Sequence, residues 1–67
     1  MEPLASRLRE KRKIKGLSQE QIAYLLKIRQ ATYSGYESGK HQPSLDILIK
    51  LADTFETSTD YLLGRYS

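Results

Sequence analysis

A short polar stretch near the middle of this 67-residue chain carries side chains suited to hydrogen bonding with the edges of base pairs. Gln30 can bond adenine through two atoms, Ala31 can touch the methyl group of thymine, and Ser34 can bond several bases. Gly35 belongs to the same stretch and Arg29 precedes it, with no carboxylate among the five to repel phosphate. A plain solvated helix face is the alternative, and this stretch alone does not decide between the two.

The composition leaves little material for other kinds of chemistry. The chain has no Cys, and its single His, His41, stands alone in a predicted loop, so neither a disulfide nor a thiolate zinc site is possible. Ser34 has no neighbouring His–Asp pair that would make it a nucleophile, and a glycine-rich phosphate loop is absent from the sequence. We therefore expect no enzyme, no metal and no cofactor, and we expect His41 to be an ordinary surface residue.

The elements that must position the polar stretch are short helices separated by turn signals. Strand-type alternation is absent, and the pattern predicts an all-α fold of five helices over about 4–15, 18–26, 30–38, 44–55 and 58–63. Ser18 and Gln21 form a capping box at the second helix start, and Leu17 and Ile22 have the spacing of a hydrophobic staple. The predicted core consists of the apolar stripes of these helices: Leu4, Leu8, Ile22, Leu25, Leu26, Tyr33, Tyr36, Leu45, Leu48, Ile49, Ala52 and Phe55.

The second and third helices are joined by only three residues, 27–29. Such a tight link makes two short helices cross steeply, which is the helix-turn-helix arrangement, here over about residues 18–38. Ala23 is small enough to allow close approach where the helices cross. The net charge of +3 is unevenly distributed, because residues 1–40 hold nine Lys and Arg against four Asp and Glu. A basic first half favours a polyanionic partner.

Three stretches in this order resemble the Cro and phage-repressor type of helix-turn-helix regulators, the xenobiotic-response-element family. They are LSQEQIA at 17–23, YESGK at 36–40 followed by PS at 43–44, and DYLLG at 60–64. The resemblance covers about residues 4–64. It implies a single lambda-repressor-like DNA-binding domain over residues 1–67 and a bacterial or phage transcriptional regulator, most often a repressor.

The resemblance also implies roles for individual residues. Gln19, at the start of the second helix, matches a position that clamps a phosphate, and helix N-termini attract anions. Gln30, Ala31 and Gly35 match positions that touch bases. The residues matching backbone-contacting positions are Ser38 and Lys40. A partly buried ion pair between Arg12 and Glu37 is implied as well.

Four positions depart from the family pattern, among them Lys11, which stands where an apolar residue is common. Lys27 stands where many members have Gly in the turn, and a positive φ at a non-glycine residue costs about 1 kcal/mol. Arg29 replaces the usual Ser or Thr cap of the third helix, which weakens the cap and adds a base close to DNA. Gly35 offers no side chain to a base, so its expected use is close approach of its backbone to DNA.

The implied partner is double-stranded DNA, bound as a homodimer on a palindromic operator with half-sites one helical turn apart. We expect the dimer interface in the C-terminal half, over about residues 55–66. A membrane span and a signal peptide are not indicated, and the expected location is the cytoplasm, at the nucleoid. A protein-interaction module on the same scaffold and an antitoxin-type autoregulator are the alternatives.

Overall fold

The computed structural model describes residues 2–65 and places five helices in that range. They are α1 (Glu2–Lys15), α2 (Gln19–Leu26), α3 (Gln30–Ser38), α4 (Leu45–Thr54) and α5 (Thr59–Leu63). The described chain contains no strand, so the all-α prediction is confirmed. The helices lie within two residues of their predicted bounds, and α1 begins two residues earlier than expected. None of these helices has the length and apolar character needed to cross a membrane.

Serine caps define where three of the helices begin. The hydroxyls of Ser18, Ser44 and Ser58 each accept a hydrogen bond from the backbone N–H three residues on, at 3.0, 3.3 and 2.9 Å. At α2 the amide oxygen of Gln21 accepts in return from the Ser18 backbone N–H at 2.8 Å, which completes the predicted capping box. Because each cap satisfies an N–H group that the helix itself cannot bond, the start of each helix is set locally.

The core is formed where the apolar stripes of all five helices meet. The buried members are Leu4, Leu8, Ile22, Ala23, Leu26, Tyr33, Tyr36, Leu48, Leu51, Ala52, Phe55 and Leu62. The rings of Tyr33 and Tyr36 meet edge to face, with their centroids 6.0 Å apart, an arrangement that aromatic pairs favour. Because α3 packs against both α1 and α2, its inner side is held from two directions.

Three residues predicted to be buried lie at the surface instead. Leu25 is 55% exposed, Leu45 is 70% exposed and Ile49 is 45% exposed, so those predictions were wrong. On α4 the buried stripe includes Leu48 and Leu51, and the completely buried Leu51 was not predicted. The two candidate stripes of α4 have the same helical spacing, and only packing against the other helices decides which one is covered.

The turn between α2 and α3 depends on one residue in a left-handed conformation. Lys27 has φ 60° and ψ 43°, and its backbone N–H donates to the carbonyl of Tyr24 at 3.1 Å. The N–H of Ile28 donates to the carbonyl of Ala23 at 3.0 Å, which closes the end of α2. Arg29 then caps α3 without a side-chain hydrogen bond, as its replacement of Ser or Thr predicts. The chain therefore turns sharply before α3 begins.

Replacing Lys27 with glycine is expected to stabilise the domain. Glycine adopts positive φ without the Cβ clash, and after its greater flexibility in the unfolded chain is subtracted, the gain should be about 0.5–1 kcal/mol. Urea denaturation of the parent and of Lys27→Gly measures this difference in the free energy of unfolding. Lys27→Ala is the control, because it removes the charge and keeps the strained backbone. Equal stability of the Gly and Ala variants would show that the turn is not strained.

Candidate nucleic-acid interface

The outer side of α3 and the loop after it form a shallow concave surface, called here the α3 surface. Its lining residues are Arg29, Ala31, Thr32, Ser34, Gly35, Ser38, Lys40 and His41. Gln30 is exposed at the start of the same helix. Arg29 and Lys40 bring positive charge to the α3 surface, and none of its lining residues is acidic. A surface of this kind accepts a polyanion without like-charge repulsion.

The one acidic residue of α3, Glu37, is turned inward and is 4% exposed. Its Oε2 accepts hydrogen bonds from Arg12 Nε at 2.6 Å and from the Tyr33 hydroxyl at 2.6 Å. Its Oε1 accepts from Arg12 Nη2 at 3.1 Å and from Gln19 Nε2 at 3.0 Å. We call these four side chains the Glu37 network. A buried carboxylate is tolerated when it is paired and its lone pairs are occupied, and both conditions hold here.

Burial and hydrogen bonding have opposite effects on the pKa of Glu37. Burial alone raises the pKa of Glu37, but the hydrogen bonds from Arg12, Tyr33 and Gln19 outweigh it and hold the pKa below its ordinary value of 4.5. Burial also raises the pKa of Tyr33, and the bond to Glu37 raises it further. The pKa of Arg12 is raised chiefly by its bond to Glu37. Glu37 is therefore ionised and Tyr33 is neutral at neutral pH.

The Glu37 network links three helices. Arg12 lies on α1 and Gln19 opens α2, while Tyr33 and Glu37 lie one turn apart on α3. Arg12 also donates from Nη1 to the carbonyl of Leu17 at 2.9 Å, which ties the loop before α2 to the same group. The N-terminus of α2 and the C-terminal turn of α3 are thus fixed relative to each other.

Gln19, the predicted phosphate clamp, lies partly buried at the first position of α2. Its amide nitrogen donates one hydrogen bond to Glu37, at 3.0 Å. An amide nitrogen carries two hydrogens, so the bond to Glu37 leaves a second donor at the N-terminus of α2. This placement is compatible with a phosphate contact.

Gly35 lines the α3 surface. It is buried, and an ideal Cβ built on it would overlap Cδ2 of His41 and stand 3.1 Å from its Cγ. The His41 ring therefore lies beside the Gly35 backbone, and the expected approach of DNA to that backbone stays a prediction. Ser38 donates its hydroxyl to the Gly35 carbonyl at 3.2 Å and accepts from the Lys40 N–H at 3.4 Å.

The family resemblance implied the pairing of Arg12 with Glu37, but it did not indicate that Tyr33 and Gln19 also bond this carboxylate. Tyr33 precedes Glu37 by four residues, and side chains at that spacing share a helix face, so a signal was available. The contact between His41 and Gly35 was harder to predict from the sequence. A glycine in the middle of a helix indicates that another group packs closely against it, but not which group. Among the described residues, no three acidic or histidine side chains cluster to hold a metal ion.

The sharp α2–α3 turn, the buried acid of α3 and its polar outer side define a helix-turn-helix domain. A family model described as helix-turn-helix matches residues 8–62. The chain belongs to this family, as the resemblance to Cro and phage-repressor regulators predicted.

Curated relatives match over nearly the whole chain. The HTH-type transcriptional regulator AnsR of Bacillus subtilis (strain 168) is 54% identical over 59 residues, covering 88% of this chain and 51% of AnsR. The regulator ImmR of the same strain is 40% identical, covering 92% of this chain and 49% of ImmR. The cryptic phage CTXphi transcriptional repressor RstR of Vibrio cholerae serotype O1 is 38% identical, covering 96% of this chain and 57% of RstR. The chain therefore spans about half the length of these relatives.

Removing the charge of Glu37 should strongly destabilise the domain. Glu37→Gln leaves Arg12 without its counter-ion in a largely buried site, and breaking such a pair costs about 3 kcal/mol or more. The free energy of unfolding in urea gives the loss. Glu56→Gln is the matched control, because it removes an exposed ion pair with Lys15 at 3.0 Å and should change stability by less than about 1 kcal/mol. Equal effects of the two variants would contradict the role given to Glu37.

The lowered pKa of Glu37 also predicts how stability depends on pH. A carboxyl whose pKa is lower in the folded chain stabilises the fold above its unfolded pKa. That contribution disappears as the pH falls from about 4.5 through the folded pKa. The urea midpoint of the parent chain should therefore decrease between about pH 5 and pH 3 more steeply than that of Glu37→Gln. Parallel pH profiles would show that Glu37 is not responsible.

Proposed function

We propose that this domain binds double-stranded DNA with α3 in the major groove. The observation that carries the proposal is the α3 surface, which is polar, basic at its edges and without acidic residues, because Glu37 is held inside. The major groove of B-DNA has room for an α-helix, and phosphates line both of its edges. A surface with hydrogen-bonding groups at its centre and bases at its rim suits this shape.

Gln30, Ala31 and Ser34 are assigned to base edges because Gln30 and Ala31 are exposed in the first turn of α3 and Ser34 is half-buried. The residues assigned to the DNA backbone are Gln19, Arg29, Ser38 and Lys40. Gln19 lies at the N-terminus of α2 and Arg29 just before α3, while Ser38 is the last residue of α3 and Lys40 lies in the loop after it. Backbone contacts fix the register of α3, and base contacts give sequence preference.

The proposed biological role is transcription regulation, most often repression, in the cytoplasm at the nucleoid. It is supported by the relatives, which carry the names of transcriptional regulators and, for RstR, of a phage repressor. One copy of the α3 surface covers few base pairs, so specific binding calls for two copies on a palindrome.

We place the dimer contact in the C-terminal half. Phe55, at the start of the predicted interface, is 3% exposed and belongs to the core, and Tyr66 lies outside the described residues. The exposed Leu45 and Ile49 of α4 are better placed to meet a second copy.

A protein-interaction module is the competing function, and the observation in its favour lies on α2. A shallow depression there is mainly apolar and includes Tyr24, which is 82% exposed, and Leu25. It also includes Glu20, so it suits DNA poorly. DNA binding by the α3 surface and protein binding by this depression are separable by mutation.

Lys40→Gln should weaken binding to every duplex. The loss of one phosphate contact reduces the slope of log affinity against log salt by about 1. Fluorescence anisotropy with a duplex selected from a random pool, measured over a range of salt, determines the slope. Lys50→Gln is the matched control, because Lys50 is exposed on α4, outside the α3 surface. The salt dependence of binding by Lys50→Gln should equal that of the parent. Identical slopes for both variants, or duplex binding independent of salt, would refute the proposed docking.

Gln30→Ala should change which sequences are bound, whereas Gln19→Ala should weaken all sequences alike. Sequencing of duplexes selected by each variant from a random pool provides the comparison. Because Gln19 also bonds Glu37, the thermal stability of Gln19→Ala is measured as well. Binding is then compared at a temperature at which both variants are folded. If neither variant differed from the parent in affinity or preference, α3 would not be the recognition helix.

A further inference from the structure

We propose that His41 determines sequence specificity, by presenting its imidazole where residue 35 has no side chain. This inference rests on the proposed DNA binding by the α3 surface. It adds to that function a recognition residue that lies outside α3. Gly35 becomes a positioning residue, because it leaves the space that the ring occupies.

The geometry places the imidazole on the recognition helix itself. Gly35 follows Ala31 by four residues, so the two share one stripe of α3. A Cβ at Gly35 would overlap Cδ2 of His41 and lie 3.1 Å from Cγ and 3.2 Å from Nε2. The ring therefore fills the volume into which a side chain at position 35 would emerge.

The backbone around His41 is anchored to the same turn of α3. The N–H of His41 donates to the Gly35 carbonyl at 3.1 Å, and that carbonyl also accepts the hydroxyl of Ser38 at 3.2 Å. The loop thus folds back over the end of α3. An exposed side chain attached to an anchored backbone loses less conformational entropy on binding than one on an unanchored loop.

The chemistry of imidazole suits a base edge. A neutral imidazole has one N–H donor and one nitrogen acceptor. The donor can bond the N7 of a purine or the O6 of guanine, and the acceptor can bond the amino group of adenine or cytosine. Gly35 and Ala31 themselves have no hydrogen-bonding side chain, so the ring adds such groups to this stripe.

The other basic groups of the α3 surface lie at its ends. Arg29 precedes the first turn of α3, and Lys40 follows its last turn. Both have long side chains that reach phosphate at the rim of the groove, whereas the His41 ring lies over the helix between them. This position favours contact with a base over contact with phosphate.

A double-mutant cycle tests the inference with four chains: the parent, Gly35→Ala, His41→Ala and the combination of both. The added methyl group of Gly35→Ala must displace the imidazole, which can rotate away as a flexible side chain. The variant should remain folded, because alanine is the better helix former. Circular dichroism and thermal melting of each chain verify this before binding is measured.

Affinity for the duplex that the parent selects should fall roughly tenfold in each single variant, the effect of losing one good base contact. The combination should be no weaker than either single variant, because both changes remove the same contact. Selection from a random pool should show that the parent's preference is lost at one base pair of each half-site and retained at the others. Gln42→Ala, the next residue in the loop and exposed, is the matched control and should select like the parent.

Four outcomes would overturn the inference. An unchanged preference in His41→Ala means that the ring reads no base, and an equal loss on all sequences means that it contacts the backbone. Additive losses for Gly35→Ala and His41→Ala mean that Gly35 does not act through the ring. A parent chain that selects no sequence overturns the proposed function as well, so the two failures are distinguished by the parent alone.

Discussion

The ionised, buried carboxylate of Glu37 is the constraint on which the rest of this domain depends. Removing a carboxylate from water is costly unless its oxygens are paired, and here the partners come from three different helices. Arg12 lies on α1, Gln19 lies at the start of α2, and Tyr33 lies one turn before Glu37 on α3. Satisfying one charge therefore fixes the relative positions of the elements that would contact DNA.

The same constraint determines the electrostatics of the outer surface. Glu37 is the one carboxylate of α3, and its inward position leaves the opposite side of that helix without negative charge. An inward Glu37 also orients the outward positions, because residues on a helix keep fixed angular relations. Ala31, six residues before Glu37, is directed outward as a consequence, whereas Gln30 is exposed because it is the first residue of α3. The stability of the fold and the charge of its proposed binding surface thus have a common origin.

Local features of the fold could be predicted from the sequence, and long-range features could be predicted only in part. Ser18, Ser44 and Ser58 identify helix starts because a cap involves residues three apart. The exposure of Leu45 and the burial of Leu51 could not be predicted, since α4 has apolar residues on more than one side and tertiary packing selects between them. The pairing of Arg12 with Glu37 followed from family resemblance, while the hydroxyl of Tyr33 was recognised only in three dimensions.

The α3 surface shows the same division between local and long-range information. Helical periodicity was sufficient to place Ala31 on the outer side of α3. The position of His41 could not be inferred, because no local rule relates two residues separated by six positions across a helix end. A mid-helix glycine costs about 0.5–1 kcal/mol relative to alanine. The absence of a side chain at Gly35 leaves space beside α3, and the ring of His41 occupies that space.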